Sequence, residues 1–533
     1  MAASEQVDAP ARLESQSPAT GEPLGSVPAS GSRDVAAAVT AAAGVQRLWA
    51  QLRLEDRARY MARAAQAVID EADEIVVLVG REQGRPRAEA EIMELLPAIA
   101  TLQWLAEDGP GILEGQRIGF SRSQHPIKRG RWTYEPLGVV AVLGPSTEPF
   151  ATPLGDVAVA LMAGNGVVFK PSPHAILSGA RIARVFARAG LPEGLLAVVQ
   201  GHTDTGAALV EAPRVAQVRF TGSTRAGRQV GEACARGLRR SVLELGGKDA
   251  ALVLADANLA RAAQGIAWAA FANAGQCGGS VQRVLVHAAI AGPFLQRLVQ
   301  AARKLRVGDP LDPATEIGPI ITRERADRAA ELVQDAMRAG ATLHCGGTVE
   351  VAGLTGAFFA PAVLTGVTSA MRIAREEVPA PVALVETVDS EDELVVRAND
   401  SDTGLGASVW TADRYKGERI ARELRVGMVW MNDHLVARSA PQVPWGGVRG
   451  SGIGRARGAV ALRTCAEPKV VTWDPPVGRN AWWFPYDAGL ARAAHAVAQL
   501  RSARDADRER GLREGTGPLL RTTGRWLRSL RAR

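Results

Sequence analysis

Two kinds of apolar spacing divide the chain. From Val35 to about Ala106 apolar residues recur at helical spacing, and Ser30-Gly-Ser-Arg-Asp34 offers a cap for a helix over Val35–Trp49. Ahead of it, residues 1–30 are rich in Pro, Ser and Gly. Near Arg131 short apolar runs bounded by Gly and Pro take over: Gly138-Val-Val-Ala-Val-Leu143, Val167-Val-Phe169 and Leu196-Ala-Val-Val199. Each precedes a helix-like segment, and this alternation predicts βα units and a parallel sheet. A second alternating region runs from Ala250 to about Asn432, with strands expected at Ala250–Leu254 and Arg283–His287. From residue 474 the chain reads as an appendage. It holds the aromatic knot Trp482-Trp-Phe-Pro-Tyr486, a helix over Ala488–Leu500 and a charged stretch. Gly515-Thr-Gly-Pro518 then sets off a last segment, Leu519–Arg533, in which Leu519, Leu520, Trp526, Leu527 and Leu530 stand among arginines.

At 533 residues the chain exceeds one ordinary core and suggests two or three domains, and 47% apolar content is that of a soluble α/β protein. No run reaches the ~18 apolar residues of a membrane span, and Met1-Ala-Ala-Ser-Glu5 lacks a basic, apolar leader, so a cytoplasmic protein is expected. Cys234, Cys277, Cys345 and Cys465 are widely spaced, and the seven histidines show no ligand spacing; neither disulfides nor a metal are expected. The net charge of +7 hints at nucleic acid, but residues 479–533 alone hold 12 Arg against five Asp and Glu. The body is near neutral, and no nucleic-acid partner is expected. The tail segment 515–533 has three readings: a face for an anionic membrane, a face for an acidic partner, or a solvated arginine-rich end.

Phe220-Thr-Gly-Ser-Thr-Arg-Ala-Gly227 follows a strand-like Ala216–Phe220 and opens a helix. Glycines there let the backbone approach a pyrophosphate, which the first-turn N–H groups would face. Alone, the spacing of Gly222 and Gly227 is weak, because many such glycines only make turns. Order adds weight. Lys170-Pro171-Ser172 follows a strand; then come this turn, Glu244-Leu-Gly-Gly-Lys248 and Asn273-Ala-Gly-Gln-Cys-Gly-Gly-Ser280.

In that order the chain resembles the aldehyde dehydrogenase superfamily, over roughly residues 15–475. Glu135-Pro-Leu-Gly-Val139, Leu191-Pro-Glu-Gly194, Gly427-Met-Val-Trp-Met-Asn432 and Pro444-Trp-Gly-Gly447 also fall in family order. The resemblance implies an α/β fold with a Rossmann-like dinucleotide-binding domain, an α/β catalytic domain and a small β oligomerisation extension. Residues 1–245 would form the dinucleotide domain, with 433–455 returning to it and 120–138 in the extension; 246–432 would be catalytic, 456–473 an oligomerisation strand and 474–533 a basic C-terminal extension. It further implies NAD or NADP as cofactor, an aldehyde substrate and a homodimer or homotetramer.

Aldehyde oxidation on this scaffold needs a thiolate to add to the carbonyl, donors for the oxyanion, a base for water and a hydride acceptor. By resemblance Glu244 is the base, although a partly buried structural glutamate would fit the same context. The family arginine five residues beyond the nucleophile falls at Arg283, so Gly278 holds the nucleophile's place and Cys277 comes one step early. Consecutive Cα atoms lie about 3.8 Å apart, so the sulfur is displaced and turned; loss of a covalent nucleophile costs on the order of 10⁶ in rate. A loop refolded through Gly278 and Gly279 would bring Cys277 back. Thr147 stands where the family has its oxyanion asparagine, with Glu148 in place of an aromatic.

Lys170 and Ser172 match the adenosine-ribose side, but Pro173 replaces the glutamate that binds the ribose hydroxyls. Its absence removes a charge that would repel a 2′-phosphate, and His174 or Arg225 adds positive charge, so NADP is expected to be tolerated. Gly222, Ser223, Gly227 and Leu245 complete the dinucleotide set; Glu377 matches the nicotinamide-ribose glutamate, with Pro379 where the family has an aromatic. Two functions stay open. One is an NAD(P)-dependent aldehyde dehydrogenase making a carboxylic acid through Cys277 and Glu244. The other is a catalytically inactive dinucleotide-binding paralogue acting as a structural or regulatory subunit.

Overall fold

The apolar runs between glycines and prolines form strands because each residue is buried on both faces of a sheet. A computed structural model describes residues 11–121, 125, 127–435, 439–474, 476, 480, 483–484 and 486–531. In it Val139–Leu143, Gly166–Lys170, Leu196–Val198, Val215–Thr221 and Arg240–Glu244 run parallel in a six-stranded sheet. From one edge the order is Gly452–Ile453, Arg240–Glu244, Val215–Thr221, Val139–Leu143, Gly166–Lys170, Leu196–Val198, and the first of these is antiparallel. Val140 and Val142 point into one core while Val139, Ala141 and Leu143 point into another. That two-sided burial explains why the strand reads as an unbroken apolar run rather than an alternating one.

A seven-stranded sheet repeats the logic. Its order is Thr342–Val349, Phe358–Thr365, Val382–Val388, Val281–His287, Asp249–Val253, Gly406–Trp410, Met428–Met431, with only the first pair antiparallel. Ala251 and Val253 face one core, Ala250 and Leu252 the other. Both sheets belong to a compact unit made of residues up to Glu114 together with Tyr134–Pro468.

The expected helix runs from Ser32 to Trp49, capped where Gly31 N–H donates to Asp34 Oδ2 at 2.8 Å. The Pro-, Ser- and Gly-rich start holds more order than its composition announces. Arg12–Gln16 and Pro23–Pro28 pair as an antiparallel hairpin in which Leu13 and Ser15 are buried.

The second unit comprises Gly115–Thr133 and Lys469–Arg533. The helix expected at Ala488–Leu500 has those bounds, but the glycine–proline run after it does not end a helix. One helix spans Asp505–Arg531 and passes through Gly515 to Pro518. The glycines serve contact instead of a turn: a Cβ on Gly515 would lie 2.1 Å from Ala496 Cβ, and one on Gly511 would lie 2.9 Å from Gln499 Cβ. Trp482, Pro485 and Arg533, and the side chains of Trp526, Leu530 and Arg531, lie outside the described residues.

Candidate active site

The carboxyl ends of three neighbouring strands converge, as ligand sites in open parallel sheets do. Val139–Leu143 leads into Pro145-Ser-Thr-Glu148, Val215–Thr221 into Gly222-Ser223, and Arg240–Glu244 into Leu245-Gly246. With the loop 275–278 they enclose a cavity of about 270 Å³. Thr147, Gly222, Ser223, Glu244, Leu245, Cys277, Gly278 and Glu377 all border it. Gly227 sits behind Leu245, where a Cβ would lie 2.2 Å from Leu245 Cδ2. Lys170, Ser172 and Pro173 do not line this space; Pro173 borders a separate opening of about 440 Å³ beside Glu14 and Arg323.

Gly222 N–H donates to Glu244 O at 3.0 Å, joining the glycine turn to the strand that carries the candidate base. Ser223 caps the helix Thr224–Arg236, its hydroxyl accepting from Ala226 N–H. A Cβ on Gly246 would meet Glu377 Oε2 at 2.3 Å, so a side chain there would have to push that carboxylate aside. Burial raises the pKa of Glu377, while Lys248 and Arg325 pull it down. Burial and Arg283 lower the pKa of Lys248 to about 7 against the pull of Glu377 and Glu376, and its Nζ donates to Gln282 Oε1 and Glu376 O.

The cysteine follows a turn of unusual hand. Asn273 (φ 52°, ψ 38°) and Ala274 (φ 51°, ψ 38°) are left-handed, and Gly275 follows with φ 72°. For non-glycine residues this costs roughly 1–2 kcal/mol each. The turn is held where Asn273 N–H donates to Glu89 Oε2 at 2.8 Å and its side-chain amide to Thr147 O at 3.2 Å. Gly275 has to be glycine, because a Cβ would lie 2.2 Å from Ala380 O. Beyond the turn Cys277 packs in an apolar cluster with Met93, Leu405, Trp430 and Trp445, and its thiol donates to Ala272 O at 3.7 Å. Gly278 N–H points elsewhere, to Glu148 Oε1 at 3.3 Å.

Thr147 does not turn its hydroxyl to open space. It donates to Glu148 Oε2 at 2.6 Å. Arg85, fully buried between two helices, donates to Thr147 O at 2.6 Å and lies 3.7 Å from Glu94. Burial lowers the pKa of Arg85, but Glu94, Cys277, Glu148 and Glu89 together hold it above its ordinary value.

A sequence model of the aldehyde dehydrogenase family matches residues 6–471. The chain belongs to the aldehyde dehydrogenase family. It is 36% identical over 459 residues to a betaine aldehyde dehydrogenase of Brucella melitensis, an alignment covering 85% of this chain and 92% of that protein. An NAD-dependent aldehyde dehydrogenase from Sinorhizobium meliloti superposes with a TM-score of 0.85 at 34% identity, covering 89% of this chain and 93% of that one. A Mycobacterium tuberculosis aldehyde dehydrogenase complexed with NAD⁺ gives 0.82 at 33%, covering 86% and 94%.

Away from the cavity, Lys170 ends a strand with Nζ on Pro171 O at 2.9 Å. Burial lowers its pKa to about 8, and Asp204 opposes that. Ser172 accepts from His174 N–H. Pro173 lies in the turn before the helix Ile176–Arg188, so it does not start that helix. Burial lowers the pKa of His174, and nearby Arg325 and His202 lower it further against Glu324, so its imidazole favours the neutral form.

Two residues of the site escaped the sequence reading. Arg325, from the helix Arg323–Arg338, borders the cavity and donates to Ser146 Oγ at 3.4 Å. Arg85 comes from a turn that carries no motif. Neither has a local signal, since each reaches the site only through the fold.

Proposed function

We propose that this chain is a dinucleotide-binding member of the family whose own aldehyde-oxidising site is silent. The family's reaction is NAD(P)-dependent oxidation of an aldehyde to a carboxylic acid. The observation that carries the proposal is the thiol of Cys277, packed among Met93, Leu405, Trp430 and Trp445 and bound to Ala272 O, next to a glycine in the nucleophile's place. A cysteine packed this way is an inert core thiol.

The residues present fit a dinucleotide. The glycine turn, the capped helix behind it and the bare backbone of Gly246 beside Glu377 leave room that side chains would fill. Gly222, Ser223 and the first-turn N–H groups would hold the pyrophosphate, Lys170 the adenosine ribose and Glu377 the nicotinamide ribose. When bound, the dinucleotide supplies a hydride acceptor. Glu244, from the cavity wall, would take a proton from water; no residue of the chain supplies the thiolate that this chemistry requires.

A second reading rests on a different observation. Cys277 borders the cavity and lies close enough to Arg85 for charge on the sulfur to stabilise the guanidinium. In that reading a remodelled loop makes Cys277 the nucleophile. Production of NADH or NADPH over a panel of aldehydes decides between them. The silent-site reading expects wild type and Cys277→Ala to be alike at background; turnover that Cys277→Ala abolishes would sink it.

Pro173, which brings no carboxylate to repel a 2′-phosphate, supports NADP binding at least as tight as NAD. Fluorescence titration showing tight NAD and no NADP binding would reject this. The family resemblance supports a homodimer or homotetramer built through the extension at 120–138 and 456–473; light scattering on the purified protein tests it. The helix Asp505–Arg531 presents exposed Leu512, Leu520 and Leu527, each followed by an exposed arginine. Spacings of eight and seven put the leucines on one arc and Arg513, Arg521 and Arg528 beside it. Apolar stripe and cationic flank together match an anionic bilayer surface.

A further inference from the structure

Two donors converge on one carboxylate at the wall of the cavity. Glu148 Oε1 accepts from the backbone N–H of Gly278 at 3.3 Å, and Oε2 accepts from the Thr147 hydroxyl at 2.6 Å. Glu148 is only 2% exposed, although it borders the cavity together with Thr147 and Gly278. Behind it, Arg85 is 0% exposed and close enough for its charge to be felt. A backbone N–H and a hydroxyl aimed at one carboxylate, with a buried guanidinium near enough to act through its charge, is how proteins hold an anion or a developing oxyanion. Here the anion is supplied by the chain.

We propose that Thr147, the Gly278 N–H and Arg85 form a niche for a carboxylate or carbonyl oxygen, and that Glu148 is its resident occupant. The side chain stands in for the oxygen of a ligand and excludes it from this end of the cavity. Tethered at the adjacent residue, Glu148 competes at a high effective concentration without any entropy of association. Both donors are engaged by the same group, so an external oxygen must displace the carboxylate and not merely enter beside it. The proposal takes the cavity to be the reaction end of the family fold. It predicts binding instead of turnover, so it can fail while the silent-site reading stands.

The probe is sodium butyrate, a short monocarboxylate, titrated against the full-length protein at constant ionic strength with sodium chloride as the comparison anion. Trp445 borders the same cavity and gives a fluorescence signal. Wild type is expected to show no saturable response, and Glu148→Ala to bind butyrate at least ~10-fold more tightly. Glu148→Gln separates occupancy from charge. The neutral amide still accepts from Gly278 N–H and can donate to Thr147 Oγ, so an occupant leaves it as closed as wild type. If mere repulsion excludes anions, Glu148→Gln opens as fully as Glu148→Ala, and the proposal is overturned. Equal binding in wild type and Glu148→Ala overturns it as well. Thr147→Val in the Glu148→Ala background removes one donor and is expected to reverse at least half of the gain on a logarithmic scale; no change would place the butyrate elsewhere. Circular dichroism reports whether Glu148→Ala folds, and Glu148→Ser replaces it if Arg85 needs a polar neighbour.

Discussion

Asp249 shows how one residue's surroundings set a property of the whole chain. It lies at the start of a central strand, 2% exposed, with His434 Nε2 at 3.9 Å from its carboxylate. Burial raises its pKa to about 8; Gly406 N–H and Arg283 oppose the shift, and Glu377 adds to it. His434 moves the other way, to about 4 through burial, and its neutral ring donates to Gly279 O at 2.9 Å. A carboxyl whose folded pKa exceeds its unfolded value of about 4 binds more protons folded than unfolded between those two values. Its contribution is therefore present at low pH and lost as pH climbs from about 4 to about 8. Asp249→Asn has no such slope, so its stability relative to wild type should improve with pH across that window. Urea denaturation of both proteins at pH 5 and pH 8 measures this; an equal difference at the two pH values would refute it. The order of the motifs named Thr147, Gly222, Ser223, Glu244, Leu245, Cys277, Gly278 and Glu377, which the fold gathers around one cavity, but not Arg325 or Arg85. Side-chain directions were not legible: whether Thr147 offers its hydroxyl to the cavity or to Glu148 is decided by contacts that no spacing encodes.

At the scale of elements, the strands were legible because burial on both faces leaves apolar runs, and glycines and prolines mark their ends. The hairpin Arg12–Gln16 with Pro23–Pro28 was not, since only Leu13 and Ser15 alternate inward and the latter is polar. The glycines of the C-terminal helix misled for a related reason. A glycine that permits close helix contact and one that makes a turn are the same letter. Gly227 tests the contact role near the site: Gly227→Val would drive side-chain atoms into Leu245 and should cost about 1–3 kcal/mol, as overpacking does. Because Leu245 borders the cavity, dinucleotide affinity should fall along with the urea midpoint. A variant with wild-type stability and affinity would show that the glycine is dispensable. The arginine-flanked leucines of the terminal helix should bind vesicles containing phosphatidylserine and release them as salt rises, because the charge term is screened over about 10 Å at 0.1 M. Co-sedimentation with Leu520→Glu and Leu527→Glu checks it. Unchanged binding, or equal binding to neutral vesicles, would count against a bilayer partner.

For the molecule as a whole, Arg219 and Asp156 form a tie between the six-stranded sheet and its surroundings. Arg219 Nε lies 2.7 Å from Asp156 Oδ1 and Nη2 donates to Ala456 O at 2.9 Å, joining a strand, the helix Ala151–Met162 and the loop before Gly458–Thr464. Both side chains are nearly inaccessible, so Asp156→Ala would strand a buried cation at a cost of about 3–5 kcal/mol. That is a third or more of a typical folding free energy, and equilibrium unfolding should show it plainly; a loss below about 1 kcal/mol would mean that water reaches the arginine. The left-handed turn before Cys277 has a longer reach. Helices and strands can slide by small, nearly isoenergetic steps, whereas this segment changes hand only if Asn273 and Ala274 cross to another region of backbone space. Moving the sulfur one place along would require unwinding that segment and releasing Asn273 from both its anchors at once. On the silent-site reading, exchanging Gly278 for cysteine would place a thiol at the family's position with that segment left as it is wound.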